Sequence, residues 1–398
     1  MTPARNEQRT TQLDALLSKV QKEVARDEFV YGVTDRAKRS FVDRINDFLI
    51  DHSAVPVSEK AYFFELLGTM LHSGIPLSRA LKILTGKTEN QHLRRIIATI
   101  SNEIEHGRTL SQALDRFPEV FDESERGVVR SSEAAGTMER ILFKVAANLE
   151  RRNDLGARLT GAMIYPIAVL VALFIGISVM VVFVVPQLEG IFKQSSITLP
   201  LPTRILLGAS VILSQSWWLI AIVALFIIAA FHIYTNSEEG RFSWDFRKLH
   251  IPFVGSIIRK IIVLRFIDTL GILIESGLPI NQVLEYVAGA VGNEVYRIKT
   301  YEALSDIQEG KKLSSSLAKA PFLFPETVTN MVAVGEQTAS LGELAQKIGS
   351  HYEREIDYTL KNLTTVLGPL LIVVIGGTVA FFALAVLSPI FSLTQAVQ

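Results

Sequence analysis

Few residues of this chain have the types and spacing that chemistry needs. Gly86-Lys87-Thr88 has the ending of a phosphate-binding loop, but such a loop needs another glycine five residues before its last one, a strand in front and a helix behind. Position 81 is Leu81, inside a helical pattern, so Gly86 reads as a helix C-cap and nucleotide hydrolysis is not expected. The run Asp122-Glu123-Ser124-Glu125-Arg126 offers oxygen ligands to a hard cation, or else forms a solvated turn, the preferred reading. The seven histidines (His52, His72, His92, His106, His232, His250 and His351) show none of the spacings that bind zinc, and no nucleophile, base and orienting group stand together. There is no cysteine, which removes disulfides, thiolate metal sites and cysteine nucleophiles. No catalytic, cofactor or metal residue is therefore assigned, and the chain is read as not an enzyme. Lys plus Arg, 40, equals Asp plus Glu, 40, so net charge makes no case for nucleic acid.

The informative residues are glycines, prolines and glutamates, and they occur twice. LHSGIPLSRAL (71–81) returns as IESGLPINQVL (274–284). The displacement that carries Gly74 to Gly277 also relates Pro76 to Pro279, Gly107 to Gly310, Ser111 to Ser314, Phe121 to Phe324 and Glu133 to Glu336. Lys87 and Thr88 map to Ala290 and Val291, so the phosphate-loop likeness does not recur. One register kept this long is an internal duplication, much larger than a solenoid unit of roughly 20 to 50 residues. Apolar residues recur three and four apart between the breaks, which predicts an all-α bundle of about six helices in each copy. Glycine can take the left-handed conformation that ends a helix, and proline fits the first turn of the next. Gly74-Ile75-Pro76 and Gly277-Leu278-Pro279 are thus tight helix-to-helix corners. Glu133 and Glu336 each precede small residues and a renewed helix, as a cap in its first turn or as a contact for a partner or cation. The candidate structural or partner-contact residues are Gly74, Pro76, Gly107, Glu133, Gly136, Gly277, Pro279, Gly310 and Glu336.

Three stretches set the broad class. Residues 161–186, about 205–234 and 366–389 contain no Asp, Glu, Lys or Arg. Each exceeds the roughly 20 apolar residues that cross a hydrocarbon core, and a soluble-core helix seldom stays apolar on all sides for so long. Pro166 and Pro186 map to Pro369 and Pro389, so each copy carries its own C-terminal span. With no Asp, Glu, Lys or Arg in the spans, an ion or proton pathway is not expected. Arg151, Arg152, Arg158, Arg241, Arg247, Lys248, Arg354 and Lys361 crowd one side, whereas the link 187–204 has only Lys193 and Arg204. The positive-inside rule then puts the N-terminus and both repeats in the cytoplasm and the C-terminus outside. The opening MTPARNEQRTTQ is polar and does not read as a signal peptide.

The expected division is 1–57, a cytoplasmic segment with two short amphipathic helices (Leu16, Leu17, Val20 and Val24; then Phe41, Ile45, Phe48 and Leu49); 58–159, the first helical repeat, with Ser58 capping its first helix; 160–186, the first transmembrane helix; 187–204, a short periplasmic link; 205–234, the second transmembrane helix; 235–261, a cytoplasmic connector; 262–361, the second repeat; 362–390, the third transmembrane helix; and 391–398, a periplasmic tail.

MLHSGIPLSRAL, IEHGRTLSQAL and SSEAAGTMERIL, with their copies LIESGLPINQVL, IQEGKKLSSSLAKAPFLFP and VGEQTASLGEL, resemble the type II secretion system F family, the inner-membrane platform proteins of type II secretion and type IV pilus machines. The likeness runs from about residue 58 to the C-terminus, and departs at Ala339-Ser340, where the first copy has Gly136-Thr137. It implies an all-α polytopic protein of the bacterial inner membrane, with three transmembrane helices and two cytoplasmic six-helix bundles. The implied partners are a hexameric assembly ATPase, pilin or pseudopilin subunits, other inner-membrane assembly proteins, membrane lipid and further copies of the chain in a homo-oligomer, without nucleic acid or cofactor. The resemblance leaves open whether the machine makes pili, secretes protein or takes up DNA. A membrane transporter component without ATPase activity is the alternative from another class, and a membrane enzyme is a third.

Overall fold

The computed structural model describes residues 30–31, 41–186 and 201–396. Expectations for 1–29, 32–40, 187–200 and the last two residues fall outside the described residues. Among the described residues every regular element is helical. In chain order these are α1 (Phe41–Asp51), α2 (Val57–His72), α3 (Leu77–Lys87), α4 (Gln91–Glu105), α5 (Leu110–Leu114), α6 (Glu123–Ala134), α7 (Met138–Val179) and a π turn (Met180–Val184). There follow α8 (Leu201–Gln215), α9 (Trp217–Asn236), α10 (Glu238–His250), α11 (Val254–Glu275), α12 (Ile280–Ala290), α13 (Glu294–Gln308), α14 (Leu313–Leu317), α15 (Glu326–Thr338) and α16 (Leu341–Ala396). The displacement that carries Gly74 to Gly277 also carries the starts of α3, α4, α5, α6 and α7 onto the starts of α12, α13, α14, α15 and α16. The duplicated register is a duplicated set of helix boundaries.

Those boundaries have local causes. Asn90 accepts the Leu93 N–H at 2.9 Å to start α4, and Thr109 with Gln112 and Asp122 with Glu125 form capping boxes for α5 and α6. Two expected caps are corrected. Pro56, not Ser58, precedes α2, its carbonyl accepting from the Glu59 N–H at 3.1 Å. Gly86 lies inside α3, and the C-cap is Thr88 in an extended conformation.

The described residues form two compact units. The first gathers the chain up to Asp154 with Arg265–Gly292 and Tyr296–Gly349, and so holds helices of both repeats. In the first repeat Phe64 and Phe121 meet edge to face at 5.8 Å; in the second Phe324 meets Phe266 at 5.0 Å and Tyr296 at 5.3 Å. Each such ring contributes about 1.5–3 kcal/mol by leaving water. The repeats pack through α6 against α12. Buried Gly127 makes room there: a Cβ on it would stand 2.9 Å from the Tyr286 ring. The Arg130 guanidinium donates to the Tyr286 hydroxyl at 3.2 Å, and Ser131 Oγ donates to the Ser276 carbonyl at 3.0 Å.

The second unit comprises Leu155–Leu264, Asn293–Val295 and the chain from Ser350. Among the described residues three stretches are long and apolar enough to cross a membrane: Met138–Phe183, Trp218–Asn236 and Leu341–Leu387. Their apolar side chains are largely exposed, with Phe226 at 72% and Ile372 at 71%. A hydrocarbon surrounding makes such exposure favourable, and helices satisfy their own backbone within it. The second span is shorter than expected. The polar trio Ser214-Gln215-Ser216 interrupts the apolar run, α8 ends at Gln215, and Ser216 (φ −119°) separates it from α9. α8 packs instead through Leu206 against Val181, Val185 and Ala385. Thr203 Oγ1 donates to the Ala385 carbonyl at 2.6 Å, and Ser210 Oγ donates at 2.8 Å to Val181, whose carbonyl lies in the π turn. A π turn loosens the helical ladder, and small hydroxyl side chains can satisfy what it frees.

Candidate functional site at the helix junctions

Gly74 and Gly277 take φ of +77° and +83°, and Gly107 and Gly310 both take +84°. In each turn the next N–H reaches back to the helix just ended: Ile75 to Met70 (3.0 Å), Leu278 to Leu273 (3.3 Å), Arg108 to Glu103 (3.1 Å) and Lys311 to Asp306 (2.9 Å). This is the bond pattern of a left-handed helix stop, which favours glycine. Pro76 (φ −57°) and Pro279 (φ −66°) stand at the N-cap, one residue ahead of the expected first turn. Their carbonyls accept from Ala80 at 2.9 Å and Val283 at 3.1 Å. A Cβ on Gly74 or Gly277 would meet nothing within 4 Å, so the cost of Gly74→Ala is backbone strain alone, about 1–2 kcal/mol.

The third turn differs between the copies. Gly136 has φ +67°, and Ala339 at the equivalent place has φ +51°. A left-handed alanine is strained where glycine is not, so Ala339→Gly should stabilise the chain by about 1 kcal/mol and Gly136→Ala should destabilise it by a similar amount. Chemical denaturation of the full chain in detergent measures both.

Glu133 and Glu336 lie in the last turns of α6 and α15, not in a first turn as expected. Each carboxylate caps a helix that begins 23 residues before it in sequence. Glu133 accepts the N–H groups of Leu110 (2.7 Å) and Ser111 (3.2 Å) and the Ser111 hydroxyl (2.8 Å) at the start of α5. Glu336 accepts from Leu313 N–H (2.6 Å), Ser314 N–H (3.2 Å) and the Ser314 hydroxyl at the start of α14. An anion facing unpaired N–H groups at a helix N-terminus is favoured by hydrogen bonding and by the helix dipole. Gly107, Glu133 and Gly136 are thereby drawn into one junction, as are Gly310, Glu336 and Ala339. The Gly277 corner is tied elsewhere, through the Ser131 bond to Ser276 and through Lys144, whose Nζ pairs with Glu275.

The acidic run 122–126 contributes half-buried Asp122 and buried Glu125 to an ionic cluster, with Glu123 left exposed, which corrects its reading as a solvated turn. Lys60 (7% exposed) and Glu125 (3% exposed) pair at 2.9 Å, and Lys60 also donates to the Val120 carbonyl at 2.8 Å. Arg152 holds Asp122 at 2.9 Å. Among the described residues no group of His, Asp and Glu is arranged to hold a metal ion. Burial, with the neighbouring Asp122 charge, pushes the Glu125 carboxyl up to about 7 against the pull of Lys60. Burial also raises Asp122, but Arg152 and hydrogen bonds from the Glu125 N–H and Ser124 more than offset it, leaving it below the usual range.

Glu125 therefore keeps its proton to about pH 7 when folded but only to its ordinary 4.5 when unfolded. Its contribution is fully present below about pH 4.5 and is lost as pH rises through 7. Relative to Glu125→Gln, the chain should lose about 3 kcal/mol over that interval, measured by denaturant unfolding in detergent.

The second copy holds no such cluster. Lys60, Asp122 and Glu125 correspond to Val263, Pro325 and Val328, with both valines buried. The carbonyl equivalent to Val120, that of Leu323, is satisfied by the Tyr296 hydroxyl at 2.9 Å, and Tyr296 stands where the first copy has Leu93. Reading the copies against each other was the signal for this cluster, because four positions change together.

Comparison with known proteins follows the same duplication. The sequence pattern of the family described as Type II secretion system (T2SS), protein F matches twice, over residues 63–186 and 266–389. Type IV pilus assembly protein PilC of Pseudomonas aeruginosa is 32% identical over 85% of this chain and 90% of its own length. PilC of Thermus thermophilus is 33% identical, covering 85% of this chain and 83% of its own length. Type II secretion system protein F of Aeromonas hydrophila is 30% identical over 93% of this chain and 94% of its own length. The two matched stretches are related at both ends by the displacement that relates the helix starts, and the chain belongs to the type II secretion system protein F family.

Proposed function

We propose that this chain is the inner-membrane platform of a type IV pilus or type II secretion machine, coupling a cytosolic assembly ATPase to the insertion of pilin or pseudopilin subunits into a filament. The observation that supports this reading is the continuity of α7 and α16, which begin at the third turn of each repeat and run on as membrane-crossing helices. At 1.5 Å per residue, their 42 and 56 residues follow helical paths of about 63 and 84 Å, each with proline inside, Pro166 in α7 and Pro369 and Pro389 in α16. Such a continuous helix would pass displacement along its length without an ion path. Both repeats would face the cytoplasm and the C-terminus the periplasm, which the positions of the basic residues support. Energy would come from the ATPase, and the chain itself would carry out no reaction.

The test is a pull-down of the tagged full chain from detergent-solubilised membranes, with bound proteins identified by mass spectrometry. Recovery of a hexameric assembly ATPase together with a prepilin is the expected result. Recovery of a periplasmic binding protein in their place, with filaments and secretion intact in a deletion strain, would overturn it in favour of a transporter component.

A further inference from the structure

α10 follows the second span after a single residue, Ser237, which accepts the Gly240 N–H at 3.2 Å. Its Trp244 ring meets Phe231 of the span edge to face at 4.9 Å. Phe231 lies five residues before the end of α9, about 8 Å along the axis. α10 is thus held beside the mouth of its own span and not far beyond it. α10 is anchored at two places: Gly240 is buried against the end of α9, and Asp245 and Leu249 are buried further along, the Asp245 carboxylate accepting the Glu294 N–H at 2.9 Å.

Beside Leu249, at i−7 and i−3, two aromatic rings remain open. Phe242 and Phe246 stack at 6.3 Å, with 40% and 45% of their surfaces exposed. The stripe continues past the helix end to Phe253, which is 69% exposed and has φ +64°. A left-handed backbone at a bulky residue is strained. Here it is fixed by bonds from Val254 N–H to the Pro252 carbonyl (2.8 Å) and from Gly255 N–H to the Ile251 carbonyl (2.7 Å). In water that strain would serve only to expose a phenyl ring. Arg241 and Arg247 are exposed on the same helix, and the Lys248 ammonium lies over the Trp244 ring at 5.5 Å.

We propose that α10 and the turn through Phe253 form an in-plane collar that seats in the headgroup layer of the bilayer, with Phe242, Phe246 and Phe253 in the outer acyl region and Arg241 and Arg247 on anionic phospholipid. Aromatic rings at the headgroup level and basic residues toward a negatively charged leaflet are what such a boundary selects. The collar fixes the depth and rotation of the second span. This inference rests on the membrane-crossing character of α9 and not on the pilus or secretion reading.

The chain has no cysteine, so single labels are unambiguous. Phe242→Cys and Phe253→Cys, each carrying a nitroxide, would be reconstituted as full chains into vesicles of phosphatidylethanolamine with phosphatidylglycerol, with Glu302→Cys on exposed α13 as a water-facing reference. Both rings are exposed, so neither exchange removes a core contact. The expected result is an oxygen-to-nickel-chelate collision ratio severalfold above the reference at both sites, falling when Arg241→Gln and Arg247→Gln are combined. Water-like ratios at both sites would overturn the proposal. So would dipolar broadening that is independent of lipid composition, which would place a second copy on this face. An equal ratio in pure phosphatidylcholine would overturn the preference for anionic lipid.

Discussion

Above about pH 7, where the Glu125 carboxyl is ionised, Glu125→Val is expected to cost about 3–5 kcal/mol, because it leaves the Lys60 ammonium buried without its counter-charge. Lys60→Val should cost less, since the Glu125 carboxyl already tends to hold a proton at its buried site and can become neutral. The Val120 carbonyl then loses its Lys60 donor, which adds about 1–3 kcal/mol. The second repeat shows how the same fold position does without the charges, through Val263, Val328, Pro325 and Tyr296. Pro325 has no N–H, so it does not need the bond that the Asp122 N–H makes to the Glu125 carboxylate at 3.0 Å. Tyr296 supplies the donor that Lys60 supplies in the first copy. The joint exchange Lys60→Val, Leu93→Tyr, Asp122→Pro and Glu125→Val should therefore be close to neutral, although Glu125→Val alone is severe. Equilibrium unfolding of the full chain in detergent measures the series. A fourfold variant as unstable as the single one would mean that the two bundles have diverged too far in backbone for their cores to be exchanged.

That comparison also explains what was legible in the sequence. Glycine and proline act through their own backbone, so the corners at Gly74-Pro76 and Gly277-Pro279 could be placed from residue type and spacing alone. Uninterrupted apolar runs placed the three membrane-crossing stretches, because a span is defined by composition over its length. The break at Ser216 was present as a polar trio, but the apolar residues on either side were read as one helix. In sequence Glu133 and Glu336 read as first-turn caps of the helix that follows them, whereas each caps the start of an earlier helix. A carboxylate that caps so distant a helix start depends on how α6 packs beside α5, and no local pattern encodes that. Lys60 and Glu125 are 65 residues apart, so Glu125 read within its own acidic run looked solvated.

Glu336→Ala is expected to destabilise the chain by about 3 kcal/mol and Glu133→Ala by less, although the two carboxylates make the same set of bonds. The difference comes from what remains. In the first copy Thr109 still accepts the Gln112 N–H at 3.3 Å, so α5 keeps a cap when Glu133 is gone. In the second copy the N-cap residue is Lys312, which has no acceptor and makes no side-chain cap, so α14 loses its capping carboxylate with Glu336. A carboxylate-to-amide change should be intermediate, since glutamine can still accept one N–H but turns a donor toward the other. Unfolding of the full chain in detergent gives the order, and filament assembly or secretion in the corresponding strains tests what the junction does. If both glutamates are caps, assembly should fall in step with stability, and Lys312→Thr should restore part of both in the Glu336→Ala background. A Glu133→Gln or Glu336→Gln chain that stays stable yet no longer retains the proposed ATPase partner would instead assign the carboxylate to a partner. The capping bonds already occupy both oxygens of each carboxylate, which favours the first outcome.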